Sequence, residues 1–207
     1  MCTPFNPPLL QYIDLAHVIA AGKLPFFGYQ LQFRGLDLEK ELDSEDKIRL
    51  FLNAMLAGRT PEGELAFSPT KGILLDKLAR LRPSPLVPQE EVEVSARELA
   101  RNGMRGPLNW YRTREINFRD ELPLARRAAD EGGFQFKVPA MMVTATKDIV
   151  LLPSLSEGMD RFFAAGLTRR EVDSGHWATT VKPQEVNEHV SRWIEELLSG
   201  ADVKSNL

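Results

Sequence analysis

The sequence holds a single cysteine, Cys2, among 207 residues. An intrachain disulfide and a thiolate metal site are therefore excluded, and a reducing compartment is the expectation. No long basic run is present: 26 Lys and Arg stand against 29 Asp and Glu, a formal net charge of −3. The pairs Arg126-Arg127 and Arg169-Arg170 read as solvated surface, so nucleic-acid binding has little electrostatic support. No apolar stretch reaches the ~20 residues that a membrane-spanning helix needs. Met1-Cys2-Thr3-Pro4-Phe5 lacks the charged-then-apolar order of a secretory signal. No His/Cys cluster has metal-ligand spacing, and no cofactor is implied. Also missing is any nucleophile elbow: there is no Gly-x-Ser-x-Gly or Gly-x-Asp-x-Gly, and no Asp is followed by Trp.

What is present suits a folded chain, with 43% hydrophobic and 27% charged residues. Residues 1–11 are rich in proline (Pro4, Pro7, Pro8) and read as a loop. Apolar residues at helical spacing predict helices over 12–24 and 36–56, with Ser44 a candidate start for a second helix inside the latter. Pro25-Phe26-Phe27-Gly28-Tyr29 reads as an aromatic loop. Residues 58–88 are broken by Gly and Pro, with a short helix expected near Ile73–Leu81. From Pro88 to Asn102 an acidic first turn and a basic last turn complement a helix dipole.

The texture then changes. Val138-Pro139-Ala140-Met141-Met142-Val143-Thr144-Ala145 is a continuous apolar run, as in a strand buried on both faces. A helix is expected over 153–165, a strand over 168–172 and an amphipathic helix over 183–198. The order is helices first, then a β-α-β-α unit of parallel-sheet type. The domain expectation is 1–135 for an entry loop and helical lid, and 136–207 for an α/β part.

Asp148 follows the first of these strands and His176 the second. Side chains just past the C-terminal ends of neighbouring parallel strands line the crevice where such sheets bind ligands. An Asp there can orient a His and stabilise its charged form, and the His can deprotonate water. In α/β-hydrolases the acid precedes the histidine in the chain, as Asp148 precedes His176. Either residue alone would more simply be a loop cap; the pair at equivalent strand ends points to chemistry.

Four segments then carry a resemblance. Val143-Thr144-Ala145-Thr146-Lys147-Asp148-Ile149-Val150-Leu151 and Asp173-Ser174-Gly175-His176-Trp177 resemble the acid and histidine motifs of soluble epoxide hydrolases. Gly106-Pro107-Leu108-Asn109-Trp110-Tyr111-Arg112 and Phe27-Gly28-Tyr29-Gln30-Leu31-Gln32-Phe33 resemble that family's two lid motifs. They fall in the family's order, and the similarity runs from about Thr3 to Leu198.

The resemblance implies a partial α/β-hydrolase fold, a helical lid followed by a remnant of the parallel sheet. It assigns Tyr29 and Tyr111 as donors to an epoxide oxygen, and Asp148 and His176 as the water-activating pair. A phenol of pKa near ~10 stays protonated at neutral pH and can donate to the alkoxide that ring opening develops. Trp177, Trp110 and Phe26 would line the pocket for a small lipophilic epoxide. Tyr12 matches no motif and reads as packing; His17 and His189 lie on expected helices.

The family's attacking Asp has no counterpart here. Hence the activity expected is epoxide hydration to a vicinal diol, incomplete in this chain, with an inactive ligand-binding or interaction protein as the alternative. A lidded hydrolase of other chemistry would have no need of two lid phenols. A small piece of parallel sheet leaves an edge and faces to cover, so association with a second copy or a complementing chain is expected. The expected location is cytoplasmic. The terminal Ser205-Asn206-Leu207 differs from the peroxisomal Ser-Lys-Leu in its middle residue.

Overall fold

A computed structural model describes residues 3–199. The chain divides into two compact units: Gln11–Asn117, and the segment up to Leu10 together with Phe118 onward.

The helical unit begins with α1 (Leu15–Ala20), whose N-cap Asp14 accepts a hydrogen bond from the Ala16 backbone N–H at 2.7 Å. A 3-10 turn, Pro25–Phe27, leads into α2 (Tyr29–Arg34), so the expected aromatic loop ends in a helix at the tyrosine itself. α3 (Asp37–Glu41) and α4 (Glu45–Met55) follow as separate helices. Ser44 breaks the long pattern by capping α4: its side chain accepts from the Lys47 N–H.

The Gly/Pro-rich stretch contains a small antiparallel hairpin, β1 (Phe67–Ser68) with β2 (Gly72–Ile73). Then come α5 (Leu75–Leu78), α6 (Gln89–Asn102) and α7 (Arg105–Asn109). α4 packs on α6, and Phe33, Leu38, Ile48, Val92, Ala96 and Leu108 are almost fully buried in this unit.

Side chains close its irregular backbone. Asn53, 5% exposed on α4, accepts from the Ser84 N–H at 2.7 Å and the Gln89 side-chain amide at 3.3 Å, and donates to the Arg49 carbonyl. Gln32 does similar work at the hairpin: its amide donates to the Ile73 carbonyl at 3.0 Å and accepts from the Ile73 N–H at 2.7 Å. Backbone groups that no ladder takes up are thereby satisfied.

α8 (Arg114–Asp130) begins in this unit and ends in the other, with Pro123 inside it. The sequence pattern gives a helix or turn only over Asn109 to Asn117, and the rest of this helix, with its many charged residues, shows no apolar stripe. In the sheet-bearing unit, β3 (Ala140–Ala145) and β4 (Leu167–Val172) form a parallel pair with Ala140 opposite Leu167 and Ala145 opposite Val172. The expected helix between them is two 3-10 turns, Pro153–Ser156 and Met159–Phe162. Gly158, at φ 68°, separates them with a left-handed residue that no helix would continue through. Arg169 pins this connection by pairing with Asp160 at 2.6 Å and donating to the Ser156 carbonyl at 2.7 Å.

α9 (Ala178–Val181) and α10 (Pro183–Leu198) close the described chain. Val143, Ala145, Val172, Ala178 and Val186 form one apolar cluster, and Met142, Met159 and Leu167 another. Alternate residues of β3 thus enter different clusters, as a strand covered on both faces requires. The second cluster includes Phe5, whose ring meets those of Phe134, Phe136 and Phe162 at 4.9, 4.8 and 5.3 Å. The proline-rich start is therefore anchored in this unit. No helix among the described residues is long and apolar enough to cross a membrane. Ser205-Asn206-Leu207 lies outside the described residues.

Candidate active site

The turn after β3 brings Asp148 to the C-terminal end of that strand, and the turn after β4 does the same for His176. Two backbone bonds tie the turns together: Lys147 N–H donates to the Ser174 carbonyl at 2.9 Å, and Thr146 N–H to the Val172 carbonyl at 3.0 Å. Asp148 Oδ2 lies 2.9 Å from His176 Nδ1. Its other oxygen, Oδ1, accepts from the Val150 N–H at 2.8 Å and the Leu151 N–H at 2.9 Å.

The carboxylate is 2% exposed. Burial by itself pushes the Asp148 carboxyl up. The bond to His176 and the Leu151 and Val150 N–H groups outweigh it and hold the carboxyl below the usual range. Asp148 is thus an ionised acceptor whose loop grips one oxygen while the other faces the imidazole. With Nδ1 directed at Asp148, Nε2 is the ring nitrogen turned away from the carboxylate. Trp177 stands edge-on to the imidazole, with centroids 5.3 Å apart.

The helical unit brings Tyr29 and Tyr111 together. Tyr29 is the first residue of α2. Its N–H donates to the Pro69 carbonyl at 3.0 Å. Gly28 before it lies so close to the hairpin that a Cβ there would fall 2.0 Å from the Thr70 carbonyl oxygen. Tyr111 follows α7 in a turn closed by its N–H to the Leu108 carbonyl at 3.1 Å.

The Tyr29 and Tyr111 rings have centroids 5.9 Å apart, at 78°. Phe33, one turn along α2, meets both edge-on, at 5.4 and 5.0 Å, and Phe67 of β1 meets Tyr29 at 5.5 Å. The Gln30 amide donates to the Tyr29 hydroxyl at 3.3 Å. Burial, and then the neighbouring Tyr29, push the Tyr111 phenol up to about 12. It is therefore a neutral hydrogen-bond donor at any physiological pH.

The pocket-lining expectations fall unevenly. Phe26 is half-buried and stacks edge-on with Phe27 at 5.0 Å. Trp177 is half-buried beside His176, and Trp110 is 79% exposed. Sequence reasoning passed over Gln30, Gln32, Phe33 and Arg112, all inside the lid motifs but without a chemical signature of their own. Tyr12 donates to Asp14 at 3.3 Å, as befits a structural residue. Among the described residues no group of three or more His, Cys, Asp or Glu could hold a metal ion.

A histidine–carboxylate pair at the ends of adjacent parallel strands fits the α/β-hydrolase class, and comparison with solved structures agrees. Potato epoxide hydrolase I from Solanum tuberosum superposes with a TM-score of 0.66 at 20% identity, over 94% of this chain and 60% of that one. In sequence, the chain is 41% identical to epoxide hydrolase srdG of Neurospora crassa over 95% of its own length and 58% of the relative's. It is 30% identical to bifunctional epoxide hydrolase 2 of Mus musculus, over 99% of this chain and 36% of that protein. No family model matches. The chain is related to epoxide hydrolases of the α/β-hydrolase fold and spans rather more than half the length of the Neurospora relative.

Proposed function

We propose that the chain carries two of the chemical functions of epoxide hydration, one in each unit. Tyr29 and Tyr111 hold the epoxide oxygen of a lipophilic substrate and supply a proton as the ring opens. His176, oriented by Asp148, deprotonates the water that completes the hydration. The observation that carries this reading is the 2.9 Å contact between His176 Nδ1 and a buried, ionised Asp148. The phenol pair supports it, because two neutral O–H donors stabilise a developing alkoxide without reorganisation.

The atoms balance simply. A nucleophile bonds to a ring carbon, the C–O bond breaks, and the alkoxide takes a phenol proton. Where the nucleophile is a carboxylate, water attacks the carbonyl of the resulting ester and gives its proton to His176; His176 passes that proton to the alcohol as it leaves, and the carboxylic acid released returns a proton to the phenolate. No Asp of this sequence stands in a nucleophile motif. A second reading follows from that: the chain binds a lipophilic epoxide without turning it over.

The test is diol formation from a lipophilic aryl epoxide by the 207-residue chain, with and without added formate as a surrogate nucleophile. The expected result is formate-dependent diol that disappears in His176→Gln. Epoxide binding with no diol under either condition favours the second reading. Absence of both binding and diol overturns both.

A further inference from the structure

Arg112 follows Tyr111 directly, and its guanidinium is committed in four directions within the helical unit. Nε donates to the Arg34 carbonyl at 3.1 Å and Nη2 to the Gly35 carbonyl at 2.8 Å. Nη1 donates to the Asn109 side chain at 3.0 Å and lies 2.6 Å from the Glu39 carboxylate. Arg34 is the last residue of α2 and Gly35 its C-cap. Tyr29 is the first residue of that same helix.

α2 has only six residues, too few to hold together without tertiary support. Its terminal carbonyls have no partners within the helix and are met by a cation, the favourable charge for that end. The residue that closes one end of the Tyr29 helix is thus chain neighbour to the other phenol. Lys could supply the charge but not a fork that reaches two carbonyls and a carboxylate at once.

We propose that Arg112 is a positioning residue for the phenol pair: by gripping the end of α2, α3 at Glu39 and α7 at Asn109 together, it sets the spacing between Tyr29 and Tyr111. Its consequence for catalysis rests on the reading of these tyrosines as epoxide-oxygen donors; the spacing itself does not.

The chain has only three tyrosines, so ring-labelled tyrosine gives a proton NMR spectrum that single Tyr→Phe variants assign. The parent is expected to show a ring-to-ring Overhauser effect between Tyr29 and Tyr111, whose centroids are 5.9 Å apart. It is also expected to show one between Tyr29 and Phe33, which share α2 and lie 5.4 Å apart. In Arg112→Lys and Arg112→Met the Tyr29–Tyr111 effect is expected to vanish while the Tyr29–Phe33 effect stays.

Undiminished Tyr29–Tyr111 contact in either Arg112 variant overturns the proposal. Loss of both contacts in Arg112→Lys also overturns it, since Arg112 would then be holding the fold and not the spacing. Should Arg112→Met fail to fold, Arg112→Lys decides the matter, and Glu39→Gln, which removes one arm of the grip, should weaken the same contact. No outcome of the epoxide assay alters this readout. A silent assay with the expected NMR change would retire the hydrolase reading and leave the positioning role standing.

Discussion

In the helical unit, Asn53, Gln32 and Arg112 each commit a side chain to backbone groups that no helix or strand takes up. In the sheet-bearing unit the backbone pairs in a regular parallel ladder, and the polar side chains at its ends pair with one another, as Asp148 does with His176. The first unit is irregular in path and tightly specified by individual contacts. The second has a regular ladder at its centre, and its side-chain grips on backbone, such as Asp148 on Val150 and Leu151 and Arg169 on Ser156, lie in the connections around that ladder. Damage to a named polar residue should therefore be severe in the first and mild in the second. The tryptophans allow each to be followed alone, since Trp110 lies in the helical unit and Trp177 and Trp193 in the other.

The largest effect is expected from Gly28→Ala. Its Cβ would sit 2.0 Å from the Thr70 carbonyl oxygen and 2.8 Å from the carbonyl carbon. Backbone cannot swing aside as a flexible side chain can, so a loss of ~3 kcal/mol is expected. Urea unfolding followed at Trp110 should show it while the signal from Trp177 and Trp193 holds; equal shifts in both would erase the contrast. Next is Asn53→Ala, which leaves the Ser84 N–H without its acceptor in a buried site. A loss of ~2 kcal/mol in the helical unit is expected, read from the same transition.

Asp148→Asn should have a smaller effect at neutral pH, ~1 kcal/mol, because an amide oxygen still accepts from Val150 and Leu151. Its signature is in acid. The folded carboxyl of Asp148 lies below its ordinary value. The stability it contributes is therefore fully present above about pH 4 and is lost as pH falls through the folded value. Asp148→Asn should flatten that acid slope in the sheet-bearing unit; an unchanged slope would show that other carboxylates carry it. Smallest is Arg169→Met, which removes a partly exposed ion pair with Asp160 worth ~1 kcal/mol or less. Faster amide exchange across residues 153–162, with little change in the unfolding midpoint, is the expected readout.

The same contrast governs what was legible in the sequence. β3, β4 and α10 could be read because apolar periodicity is a property of neighbouring residues, and burial on both faces writes a continuous apolar run. Asp148 and His176 could be placed together because strand ends in a parallel pair are fixed by the strands themselves. The β1–β2 hairpin could not be read: two-residue strands leave no periodicity, and the hairpin is held by Gln32, which is distant in sequence. α8 was missed because its face toward the core is narrow, with Ala125 its buried residue. The two 3-10 turns before β4 replaced an expected helix through one left-handed glycine. Tyr29 and Tyr111 were singled out by resemblance alone. What brings their rings together, the guanidinium of Arg112 on α2, belongs to contacts across more than seventy positions of chain, beyond the reach of any local pattern.

The anchoring of Phe5 among Phe134, Phe136 and Phe162 has a topological consequence. The chain is fastened to the sheet-bearing unit before it departs at Leu10 and is fastened there again after Phe118, so Gln11–Asn117 is an excursion with both ends tethered to one body. An insertion of that kind can change its length and its side chains over evolutionary time without disturbing the ladder that bears the histidine. The two units are then free to drift at different rates.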